Sequence, residues 1–155
     1  MLHTSALTLF LDGAPLLTLP PLRVAPGEVL TLMGPSGCGK SSLLAALAGV
    51  LPPGGPIRLT GDILLGTHRL TPLPPQERGV GILFQDDLLF AHLTVADNLM
   101  FGMPAHLKGM AARQARAREA LAEVGLEAQA DKLPGALSGG QKARVSLLRA
   151  LLAEP

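Results

Sequence analysis

The run Gly34-Pro35-Ser36-Gly37-Cys38-Gly39-Lys40-Ser41 constrains this chain more than any other stretch. It fits the pattern G-x-x-x-x-G-K-[ST], in which glycines let backbone N–H groups turn inward as an anion nest. The pattern carries weight only between a buried strand and a helix, and both flanks read that way. Val29-Leu30-Thr31-Leu32-Met33 is a nearly unbroken apolar run of the kind a fully buried parallel strand shows. Residues 41–48 are good helix formers, with Gly49 near their end. A helix starting at Ser41 adds its dipole to the nest. Lys40 then reaches the β- and γ-phosphates as a point charge, and the Ser41 hydroxyl ligates Mg²⁺. The arrangement predicts a nucleoside triphosphate. A chance glycine-rich turn would lack the flanks.

Composition narrows the alternatives. Hydrophobic residues make up 48% of the 155 and charged residues 16%, which fits one domain with a real core and argues against disorder. The net charge of +1 supplies no field that would select nucleic acid. With no Trp or Tyr, and only Phe10, Phe84, Phe90 and Phe101, stacking platforms for bases are scarce. Cys38 is the only cysteine, so no intrachain disulfide or zinc site can form, and it reads as a small side chain in the loop. The longest apolar run, residues 43–51, is far short of the ~20 residues that span a bilayer, and the N-terminus does not read as a signal peptide. A cytoplasmic chain is expected.

Along the chain, residues 7–11 and 16–19 flank Asp12-Gly13-Ala14-Pro15 as a short antiparallel hairpin. Residues 57–65, with Gly61-Asp62 inside, read as another strand pair, and Val80-Gly81-Ile82-Leu83-Phe84 as a second buried strand. Thr94 is placed to cap a helix reaching Phe101, residues 111–124 form a helix ended by Gly125, and residues 139–153 form another with Val145, Leu148, Leu151 and Leu152 at a helical period. An α/β core carrying a helical subdomain follows. Arg113, Arg116 and Arg118 share a helix with Glu119 and Glu123, which predicts a solvated face with local charge pairing.

Leu137-Ser138-Gly139-Gly140-Gln141, downstream of the phosphate loop, resembles the signature of ABC-type ATPases. Gly81-Ile82-Leu83-Phe84-Gln85 resembles the Q-loop of that family, and residues 141–150 resemble its signature helix. The chain is similar to the nucleotide-binding subunit of an ABC transporter, and within that family to YnjD-like importer ATPases. The resemblance implies an α/β fold, a P-loop NTPase core of the ABC ATPase type with an N-terminal antiparallel β region. It divides one ABC ATPase domain into residues 1–93, a helical subdomain at 94–138 and a returning signature helix at 139–155. Mg·ATP would lie against Gly34, Pro35, Ser36, Gly37, Cys38, Gly39, Lys40, Ser41 and Ser42. Gln85 would sense Mg²⁺ and the attacking water and couple them to transmembrane permease subunits. Ser138, Gly139, Gly140 and Gln141 would contact ATP held by a second copy in a head-to-tail dimer. Lys40, Gln85 and Ser138 are the implied catalytic residues, and Ser41 and Gln85 the implied metal ligands. A substrate-binding protein would be an indirect partner, nucleic acid would not be one, and the subunit would sit on the inner face of the membrane through its permeases.

Departures from the family pattern also generate expectations. The family's adenine-stacking aromatic falls near Leu11, which is aliphatic, while Phe10 points to the other face of a strand. His92 is not the family's switch histidine. The chain ends at Pro155, ahead of the family's apolar strand with its metal-holding Asp and water-polarising Glu, so the C-terminal part of the core is expected to be missing. That predicts negligible turnover by these residues alone, and exposed apolar surface along residues 29–33 and 80–84. The competing readings are a soluble ABC ATPase of DNA repair or translation and a hydrolysis-incompetent nucleotide-binding fragment.

Overall fold

The computed structural model describes all residues, Met1–Pro155. They form two compact units, Met1–Val80 and Gly81–Pro155. The first begins with β1 (Leu2–Thr4), β2 (Leu7–Leu11) and β3 (Ala14–Leu19). β2 and β3 make the expected hairpin, but Asp12 and Gly13 alone form its turn, with φ of 50° and 83°. Two positive φ values match the twist of paired strands. Ala14 and Pro15 therefore join β3, an edge strand on which a missing N–H is tolerated. A register shift between Leu9 and Phe10 leaves Leu16 unpaired.

β4 (Arg23–Val24), β5 (Ile57–Thr60), β6 (Ile63–Leu65) and β7 (His68–Arg69) complete two antiparallel sheets, ordered β4-β1-β6-β7 and β3-β2-β5. Residues 57–65 are thus not a hairpin: β5 and β6 belong to different sheets. Gly61 marks the corner, with φ 99° and no room for a Cβ beside the Ala6 carbonyl. The Ser5 N–H donates to the Asp62 carbonyl at 3.0 Å, and the Asp62 N–H donates to Ser5 Oγ at 2.8 Å. Both segments, β1–β2 and β5–β6, change sheet at that point.

α1 (Lys40–Ala48) packs Leu43 and Ala46 against Leu7, Leu9, Ile63 and Leu70. Arg78 secures its C-terminal end. Nη1 donates to the Ala46 and Leu47 carbonyls at 2.9 and 3.0 Å, Nε to Leu73 O at 2.8 Å and Nη2 to Thr71 O at 3.1 Å. The residue is 8% exposed, and burial pulls its pKa below the ordinary arginine value. Carbonyl dipoles at the negative end of α1 face the charge.

Residues 29–33 and 80–84 do not form the expected buried strands. Neither stretch is a strand, and Val29, Met33 and Phe84 are 88%, 90% and 47% exposed. A parallel strand buries both faces only with hydrogen-bonded neighbours and covering layers, and no segment here pairs with either stretch. The apolar surface expected along them is present. Leu30 and Leu32 line an apolar cavity of about 200 Å³ with Leu2, Leu22, Leu43 and Leu47.

The second unit is helical: α2 (Val95–Gly102), α3 (Met110–Glu123) and α4 (Gly139–Leu152). Thr94 caps α2, its Oγ1 accepting from the Asp97 N–H at 3.1 Å. Val95, Leu99, Leu121, Leu126, Val145 and Leu148 are central to the core. Leu151 departs from the expected apolar face and is 57% exposed, since it lies ~100° around the helix from the buried Leu152. Arg116 pairs with Glu119 and Glu123, the local pairing expected on that helix, whereas Arg118 pairs with Asp131 beyond its end. The Asp131 hydrogen bond also raises the Arg118 pKa. Arg113 differs. It turns inward and donates to the Met100 and Met103 carbonyls at 2.9 and 2.8 Å, closing the end of α2.

Replacing Arg78 should expose how much of the first unit rests on it. Arg78→Met leaves the Leu47, Thr71 and Leu73 carbonyls without a donor, while Ala46 O keeps the Gly49 N–H, and is expected to cost about 2–4 kcal/mol. Arg78→Lys should recover only part, because an ammonium lacks the planar fork. Urea denaturation followed by circular dichroism measures both.

Candidate functional site

Residues 34–39 run as irregular chain into α1. Gly39 precedes the helix at φ 95°, and a Cβ there would press on Leu16 Cδ2 at 3.2 Å, so the unpaired Leu16 on β3 holds the base of the loop. Lys40 is curled into its own loop: Nζ donates to the Gly34 and Pro35 carbonyls at 2.8 and 2.7 Å and lies 3.7 Å from Cys38 Sγ. α1 has no side-chain cap and no acidic residue in its first turn. Its leading N–H groups, at Lys40, Ser41 and Ser42, therefore remain available to an outside acceptor. Gly34, Pro35, Ser36, Gly37 and Ser41 are exposed, Cys38, Lys40 and Ser42 partly so. An ammonium at an uncapped helix N-terminus fits a polyanion with several oxygens. No group of three or more His, Cys, Asp or Glu could hold a metal by itself. That is compatible with Mg²⁺, which binds through few protein ligands when substrate phosphates supply the others. The exposed Ser41 hydroxyl is suited to be such a ligand.

In the second unit Gln85 is exposed and lines a cleft of about 330 Å³ with Phe84, Asp86, Gly139, Ala143 and Ser146. The Gln85 segment and the start of α4, distant in sequence, are thereby brought together. The chain after Gln85 is held closely. Leu88 adopts φ 47°. Arg149 donates to the Leu88 carbonyl at 3.0 Å and the Asp87 carbonyl at 3.4 Å, and lies over the Phe90 ring. Burial lowers the Arg149 pKa, partly offset by Asp87. Asn98, fully buried, accepts from the Phe90 N–H at 2.8 Å and donates to the Phe90, Leu93 and Thr94 carbonyls. Beside it, Ile82, Leu88, Phe90 and Phe101 line an open groove of about 320 Å³, with Phe101 68% exposed.

Ser138 and Gln141 form a reciprocal cap at the start of α4. Ser138 Oγ accepts from the Gln141 N–H at 3.4 Å, and Gln141 Oε1 accepts from the Ser138 N–H at 2.9 Å. Gly139 and Gly140 are exposed, have no positive φ and border open space. Neither packing nor backbone conformation requires glycine there, although glycine in a helix costs about 0.5–1 kcal/mol relative to alanine. The open approach is what the pair supplies. Sequence reasoning missed Arg78, Asn98 and Arg149, whose partners are backbone atoms elsewhere in each unit and leave no local pattern. Leu11 is exposed at the end of β2, and Phe10 has the opposite strand parity.

A phosphate loop leading into a helix, with antiparallel β structure and a helical unit, defines an ATPase cassette of the P-loop type. Residues 20–155 match the family model described as ABC transporter. The chain is 46% identical over 155 residues to the uncharacterized ABC transporter ATP-binding protein YnjD of Escherichia coli (strain K12), covering 100% of this chain and 70% of that protein. It is 45% identical over 128 residues to the thiamine import ATP-binding protein ThiQ of Vibrio vulnificus (strain YJ016), covering 83% of this chain and 53% of that one. The ATP-binding cassette MJ0796, solved as a dimer in a post-hydrolysis state bound to ADP and Pi, aligns with a TM-score of 0.81 at 27% identity, covering 100% of this chain and 71% of the other. The chain belongs to the ABC transporter family, as an ATP-binding subunit of the ABC ATPase type. No helix is long and apolar enough to cross a membrane.

Two substitutions at the start of α4 should have opposite effects on stability. Ser138→Ala removes a cap and should cost about 0.5–2 kcal/mol. Gly140→Ala meets no obstacle and should leave stability unchanged or raise it by up to ~1 kcal/mol. Thermal melts of the purified variants compare them.

Proposed function

We propose that this chain binds Mg·ATP at residues 34–42 and, as part of an import transporter, couples the nucleotide to permease subunits. The observation that carries the reading is Lys40, held inside its loop at an uncapped helix N-terminus. Lys40 Nζ exchanges its carbonyl contacts for β- and γ-phosphate oxygens, and the N–H groups from Gly37 to Ser42 hold the same anion. Ser41 is the side-chain ligand for Mg²⁺, which when bound neutralises charge on the phosphates. Gln85, which lines its cleft, orients water near the γ-phosphate. Ser138, Gly139, Gly140 and Gln141 offer an anion site to the nucleotide of a second copy in a head-to-tail dimer. The spare glycines at that helix start support this role, since they admit an outside ligand and serve no internal need.

The relatives' names support import as the direction of transport, and they carry different cargoes. Cargo choice is therefore assigned to the permeases and an associated substrate-binding protein. The groove at Leu88, Phe90 and Phe101 suits an apolar permease segment, which would keep the subunit on the inner membrane face.

Calorimetry with Mg·ATP tests the loop. The 155-residue chain should bind, and Lys40→Ala should weaken binding by roughly tenfold or more, the scale of one charge-assisted contact. Equal affinity in the folded variant would overturn the assignment. Cys38 gives an independent readout as the only thiol: saturating Mg·ATP should slow its maleimide labelling, and the labelled protein should lose ATP binding. Labelling at one rate with and without nucleotide would count against a ligand in the loop.

A further inference from the structure

Arg149 lies about one turn beyond Ser146 on α4 and lines the Phe90–Phe101 groove, which shares Ser146 with the Gln85 cleft. Its guanidinium does not meet a carboxylate. It binds the carbonyls of Asp87 and Leu88 at 3.4 and 3.0 Å, and its carbon lies 5.6 Å from the Phe90 ring centroid. Between those carbonyls is Leu88, whose φ of 47° is a conformation that leucine avoids. Such a residue persists only where its surroundings over-determine it. Arg149 grips the corner from one side, and Asn98 holds the Phe90 N–H and carbonyl from the other. Gln85 is three residues before this corner.

We propose that Arg149 is a positioning residue: it fixes the loop bearing Gln85 to α4, so that this loop and the Ser138 end of the helix move as one body. The proposal rests on the reading above, in which Gln85 and residues 138–140 serve nucleotide. α4 has 14 residues in one unbroken helix, about 21 Å of stiff rod. A shift imposed where Ser138 meets a ligand therefore reaches Arg149, and through two hydrogen bonds the corner after Gln85. An arginine serving only the core would have no need of the one left-handed leucine in the loop.

Amide exchange of the nucleotide-free 155-residue chain, followed by NMR, tests the tether directly. The reporters are the Leu89 and Phe90 N–H groups, bonded to Asp87 Oδ1 and Asn98 Oδ1. Arg149→Met should speed their exchange by about tenfold or more while core amides of α2 and α3 stay within about twofold. Arg149→Lys should fall between. Leu88→Asn in the Arg149→Met background should restore protection, because asparagine tolerates the left-handed conformation. The functional arm compares ATP affinity with Mg²⁺ and with EDTA. Arg149→Met should reduce the Mg²⁺-dependent gain several-fold and spare the Mg²⁺-free affinity set by the Lys40 loop. Unchanged exchange at Leu89 and Phe90, loosening spread evenly through α2 and α3, or an intact Mg²⁺ gain despite a freed loop would each overturn the proposal. If the wild-type chain fails to bind ATP, the functional reading falls, and the exchange arm still decides the tether.

Discussion

A guanidinium buried without a carboxylate is costly unless its donors are satisfied, and Arg78 meets that requirement entirely with backbone. Its four contacts join the end of α1 to the carbonyls of Thr71 and Leu73. One consequence is positional. α1 is nine residues long, so clamping its C-terminal turn also fixes the direction in which its N-terminal turn points. The other end of the same helix carries Lys40 and the uncapped N–H groups. The loop is held by the Lys40 contacts to Gly34 and Pro35 and by Leu16 at its base, and the helix behind it sets the direction in which it faces.

The same device recurs. Arg113 closes the end of α2 through the Met100 and Met103 carbonyls, and Arg144 donates to Val124 O at 3.1 Å, just past the end of α3. None of these three helices has a basic residue in its own last turn. The positive charge that a helix C-terminus favours comes from elsewhere in the chain each time. Carbonyls at a helix end become the points at which separate elements are joined. The buried Arg78 contacts survive salt better than an exposed ion pair such as Arg69–Asp62, because water and counterions reach them less.

What the sequence revealed follows from the range over which each signal acts. The glycine-rich loop into α1, the Thr94 cap, the α3 stop at Gly125 and the β2–β3 hairpin are local, decided within a few residues of one another, and they were legible. Residues 29–33 and 80–84 have the composition of buried strands, but a strand is defined by its neighbours, and composition does not say whether one is present. The split of residues 57–65 between two sheets failed for a related reason: the decisive contact is between Gly61 and Ala6, more than fifty residues apart. Arg113 was read with Arg116 and Arg118 as one charged face, yet α3 turns it towards the carbonyls of α2. At the candidate site, the glycines and Lys40 announced themselves. Asn98 and Arg149, which shape the segment after Gln85, did not.

The reciprocal cap at Ser138 has a thermodynamic implication for whatever binds at the start of α4. Ser138 Oγ uses a lone pair to accept from Gln141, which leaves its O–H free to donate, and the Gly139 and Gly140 N–H groups lie beside it. An anion arriving there meets a hydroxyl whose rotamer is already set and glycines with no side chain to immobilise. Little conformational freedom is lost on contact, and no existing bond has to break first. The groups are also exposed to water beforehand, so each exchanges one solvated contact for another and the net gain per bond is small. Contact at such a surface is readily reversed.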